Sequence, residues 1–165
     1  MNHDMVTSQI RAALKMLRST IEACPAGLWN RKTDQNRFWA IAYHAIYHAH
    51  LYLFPSEDAF VPYDRTVKGK DGFGRTHLGD WPDLTEEDVY AKADVLAYCD
   101  HVDSLVSDLV ASAPFDAPSG FPWLPFTRGE AHLDNLRHIQ HHAGQLAERL
   151  RQSCDTGTQW VSHIR

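Results

Sequence analysis

The sequence predicts an all-α protein: a single domain over residues 1–165, folded as a four-helix bundle with two long connections. Three observations carry that expectation. Apolar residues recur at helical spacing in four separate stretches. Two proline-rich segments, both too long for tight turns, divide those stretches. The chain has 165 residues, 44% of them apolar and 22% charged, enough to bury one core without help from a disulfide or a metal.

The first helix is expected over Ser8–Ala23, where Ile10, Ala13, Leu14, Leu17 and Ile21 keep a period near 3.6. Pro25-Ala26-Gly27 terminates it. The second, about Gln35–Leu53, is apolar nearly all round, which marks a central buried helix, and Pro55 closes it. Residues 55–84 carry Pro55, Pro62, Pro82 and four glycines without periodicity, so they read as a long loop exposing Lys68, Lys70 and Arg75. The third helix begins at Thr85, an N-cap followed by Glu86, Glu87 and Asp88 in the first turn. Leu96, Cys99, Val102, Leu105, Leu109 and Val110 carry its apolar stripe to about Ser112.

Residues 113–127 hold four prolines and cannot be helical, while their aromatic content says that they pack onto something. The fourth helix spans about Gly129–Gln152, with Leu133, Leu136, Ile139, Ala143, Leu146 and Leu150 on one side. In the tail that follows, Trp160 either covers the bundle end or joins a dimer contact.

The net charge of −5 offers no basic footprint for nucleic acid or for an anionic membrane surface. The longest apolar run, Phe38 to Phe54, is broken by His44, His48 and His50, which a lipid-facing span would not tolerate. The first residues lack the apolar core of a secretory signal, so the expected location is cytoplasmic. Cys24, Cys99 and Cys154 show no CxxC spacing, and each reads as a small hydrophobe or an incidental surface thiol.

Histidine carries the functional signal, with eleven residues of which seven fall in two short segments. His138 and His142 lie four apart on the fourth helix, so both rings share a face, about 6 Å apart along the axis. That spacing lets two imidazoles reach one metal ion. His141 points elsewhere. His44 and His48 again share a face, whereas His50 points away from both. Bundles build metal sites from ligands on facing helices, so two nitrogens from the fourth helix and one from the second would leave coordination positions open. The zincin pattern HExxH fails, because Ile139 stands where the glutamate belongs. The alternative without metal makes these histidines hydrogen-bonded core groups.

Two stretches carry a family resemblance. Phe38-Trp39-Ala40-Ile41-Ala42-Tyr43-His44 and, late in the chain, Arg137-His138-Ile139-Gln140-His141-His142-Ala143-Gly144-Gln145-Leu146 resemble the DinB/YfiT-like group. The resemblance implies a helical bundle holding a divalent metal, zinc or nickel foremost, through one histidine of the second helix and two of the last. Those positions fall on His44, His138 and His142, with His48 in reserve. An arginine often found before the glycine is here Ala143.

The family also implies chemistry on a small-molecule substrate. A metal-activated water would give a hydrolase; a metal-bound thiolate would give a thiol S-transferase using a low-molecular-weight thiol. Relatives often pair, which implies a homodimer. The rival reading is a non-catalytic metal-binding or stress-response module whose metal is structural or absent. No catalytic side chain is assigned. Asn135, one turn before His138, is a candidate for acid–base help, and Gln145 for orienting a ligand or binding substrate; the alternative makes each a solvated or supporting group. Trp39, Tyr43 and Trp123, with Phe121 and Phe126, either line an apolar mouth over the metal or are ordinary core.

Overall fold

The computed structural model describes residues 2–64 and 86–164. Within them lie α1 (His3–Ala23), a single-turn α2 (Ala26–Trp29), α3 (Phe38–Leu51), α4 (Lys92–Ala111) and α5 (Arg128–Cys154), with a 3-10 turn at Glu86–Asp88. No strand forms among the described residues; Pro118 and Thr127 make an isolated bridge. No helix there is long and apolar enough to cross a membrane.

Local chemistry sets the helix ends. α1 starts before its apolar period does, because the Asn2 side chain accepts the Asp4 N–H at 2.8 Å and Asp4 favours the helix start. Pro25 ends α1 but also opens α2, its carbonyl accepting from Leu28 and Trp29. α3 is shorter than expected at both ends, and the Leu53 N–H closes it on the His50 carbonyl in a 3-10 turn.

α4 begins at Lys92 rather than at Thr85, which lies outside the described residues, as do Lys68, Lys70 and Arg75. Tyr90 accounts for the delay. Its ring stacks on Tyr43 at 4.5 Å and its carbonyl accepts the Trp29 indole N–H at 2.8 Å, so the chain enters the core before it coils. α5 opens on a capping box between Thr127 and Glu130, a T-x-x-E signature.

α1 and α3 each pack against both α4 and α5. Arg11–Asp103 and Arg18–Asp100 ion pairs show α1 antiparallel to α4. Asn135 to Ala49 and Arg149 to Asn36 show α3 antiparallel to α5. Tyr43 beside Tyr90 and His50 beside Tyr98 make α3 and α4 parallel neighbours. Parallel neighbours put the end of α3 and the start of α4 at opposite poles. The connection 112–127 instead starts and ends at one pole, where buried Arg128 donates to the carbonyls of Leu53 and Ser119. Gly120, at φ +86°, lies so close to Pro55 that a Cβ would overlap the Pro55 carbonyl.

The core is filled by Ile10, Leu14, Leu17 and Ile21 of α1, nearly all of α3, Val95, Val102, Val106 and Val110 of α4, and Ile139, Leu146 and Leu150 of α5. Leu133, expected in the stripe of α5, is 43% exposed. Its place on the inner face is taken by His132 and Asn135, both fully buried. The tail lies along α1 through Gln9–Ser162 and Ser8–Ile164 hydrogen bonds, leaving Trp160 exposed.

Candidate metal centre

α3 and α5 run antiparallel, and each presents two histidines one turn apart, so their ring-bearing faces meet. The His44 ring centroid is 5.2 Å from those of both His138 and His142. Among the described residues, His44, His138 and His142 form a group whose candidate ligand nitrogens all lie within 4.8 Å of one another. His48 packs at the edge of this group, 4.4 Å from the His44 ring and 5.1 Å from that of His138.

The donor set suits a metal. Nε2 of His138 and Nε2 of His142 are 3.1 Å apart. Ligand nitrogens at the usual zinc distance sit roughly 3.3 Å apart in a tetrahedron and about 2.9 Å apart at adjacent octahedral corners, values that bracket this pair. Metal ligands must be neutral imidazoles. Burial pushes His138 down to about 3, reinforced by the neighbouring His142, His44 and His141. Burial also lowers His142, partly offset by its hydrogen bond to Gln145.

Gln145 fixes the tautomer. Its Oε1 stands 3.0 Å from Nδ1 of His142, and the tautomer that donates this N–H leaves Nε2 bare toward His138 and His44. Asn135 acts elsewhere: its Nδ2 donates to the Ala49 carbonyl at 3.0 Å, one of the unpaired carbonyls at the end of α3. It therefore holds the two histidine-bearing helices together, one turn below His138.

The structure turns Trp39 and Tyr43 away from α5. Trp39 is fully buried, donates to Asn30 Oδ1 at 3.2 Å and tilts against Tyr90, while Tyr43 stacks within the α4-side aromatic cluster. Trp123 is linked to His48 through a residue the sequence did not single out. Its indole N–H donates to the Tyr52 hydroxyl at 3.2 Å, and the Tyr52 ring lies 5.6 Å from His48. Tyr52 follows His48 by one turn, a spacing that would have found it. Phe121 is buried against Tyr52.

His50 faces α4, and exposed His141 touches His142 at 4.9 Å between ring centroids. Burial pushes the Cys24 and Cys99 thiols up to about 12, far from a reactive thiolate.

Compared with known families, residues 9–146 match the model described as the DinB superfamily. No curated protein and no solved structure matches the chain.

Proposed function

This chain belongs to the DinB superfamily, and from that membership together with the histidine group we propose a metal-dependent enzyme acting on a small molecule. In this reading the whole chain is one four-helix bundle, and His44, His138 and His142 hold a single divalent ion, zinc or nickel. When bound, such an ion acidifies a water or a thiol that reaches it, supporting hydrolysis or thiol S-transfer with a low-molecular-weight thiol as co-substrate. The chain supplies the rest. Burial keeps the His138 and His142 rings neutral, and Gln145 holds His142 with Nε2 inward. Asn135 fixes the spacing of α3 and α5.

The observation that carries the proposal is the 3.1 Å separation of two imidazole nitrogens with a third histidine in reach. Among the described residues the group has three members, a number that suits an open, reactive site, because structural zinc is closed by four protein ligands. The test is elemental analysis of tag-free protein beside His142→Ala. Near-stoichiometric zinc or nickel in wild type, lost in the variant, is the expected result. No metal in either, after loading and desalting, would overturn the reading.

A further inference from the structure

A second site lies on the α4 side of α3, away from the triad. A cavity of about 880 Å³ opens between the end of α3, the segment that follows it, and α4. Phe54, Tyr63, Leu105 and Leu109 give it apolar and aromatic walls. Its charged lining, among the described residues, is Asp64 and Asp100, with no lysine or arginine. Asp100 is shared with Arg18 at 2.6 Å, whereas Asp64 is exposed at the rim.

At the inner wall stands His50, 0% exposed. Its Nδ1 is hydrogen-bonded to the Tyr98 hydroxyl at 3.0 Å, and its Nε2 has no hydrogen-bond partner among the described residues. Burial holds the ring neutral, pushing it down to about 3. Tyr63 lies flat on Tyr98 at 4.9 Å and against His101 at 4.6 Å, so ring faces as well as carboxylates line this side.

We infer that this cavity binds a small organic cation, an amine carried on an aromatic body. Carboxylates and aromatic faces both attract an ammonium group. Asp64 and the π-faces of Tyr63 and Phe54 receive the ammonium. Leu105 and Leu109 receive the apolar body. His50, hydrogen-bonded to the Tyr98 hydroxyl, closes the inner wall. No part of this site draws on the histidine triad, so it stands apart from the metal reading.

The test titrates 2-phenylethylammonium, 2-phenylethanol and 3-phenylpropanoate into the full chain, with binding read by calorimetry and by amide shifts. The amine is expected to bind at least about tenfold tighter than either of the others. Leu105→Trp, which fills the cavity from a half-buried wall, is expected to abolish binding. Asp64→Asn, at an exposed position that leaves the core intact, is expected to weaken it several-fold. His142→Ala is expected to leave it unchanged. Equal or tighter binding of the carboxylate, no binding of the amine, or amine affinity unaltered in Leu105→Trp and Asp64→Asn would each overturn the proposal. Loss of amine binding in His142→Ala would move the amine to the triad and overturn it as well.

Discussion

Nδ1 of His142 sits 3.0 Å from Oε1 of Gln145, one turn further along α5, and this contact decides which imidazole nitrogen faces the triad. Gln145→Leu is therefore expected to weaken zinc or nickel binding by about tenfold, while Gln145→Glu keeps or raises it. Chelator competition measures both. Wild-type affinity in the leucine variant would show that the contact does not orient the ring.

His48 touches the triad without belonging to the 4.8 Å set. His48→Ala is expected to retain its metal, and His44→Ala to lose it. Equal loss in the two variants, read by elemental analysis, would make the site four-coordinate and favour a structural ion.

His50 and His132 are fully buried, and burial pushes them down to about 3 and about 4. In the unfolded chain both titrate near about 6.5, so between these values the unfolded state binds more protons. Their contribution is complete above about pH 6.5 and declines as the pH falls toward 4, by up to roughly 1.4 kcal/mol per pH unit for each residue. Urea midpoints taken from pH 7.5 down to 4.5 should fall accordingly. His132→Phe should flatten the slope by about one proton; an unchanged slope would count against a neutral, buried His132.

Gly120 combines a positive φ with the Pro55 backbone directly against its α-carbon. Gly120→Ala strains the backbone and forces the 113–127 connection off the end of α3, at an expected cost of about 2–3 kcal/mol. Denaturant unfolding gives the value. A midpoint within error of wild type would mean that this close approach is dispensable.

The choice of His44 over His48 rested on the family resemblance, whereas the helical class and the pairing of His138 with His142 were legible because both rest on spacing along a helix. The burial of α3 was legible for the same reason. What escaped were features set by tertiary contacts. The inner face of α5 includes His132 and Asn135, so a count of apolar positions placed Leu133 inside when it is 43% exposed. The start of α4 depends on Tyr90 docking onto Tyr43, which no local propensity records. Tyr43 follows Ala42 and precedes His44 in the chain, yet its ring stacks toward α4 while His44 faces α5, because neighbours on a helix diverge by about 100°. The Asn2 cap and the T-x-x-E box of α5 were readable signals that the apolar periodicity overshadowed.

The triad draws one histidine from α3 and two from α5, which leaves the ribosome well after α3. A nascent chain halted before Arg128 presents His44 without His138 and His142, alongside the apolar surface of α3 that α5 would cover. In the proposed reading, metal capture then waits for α5, and the loading of the ion reports that α3 and α5 have closed on one another.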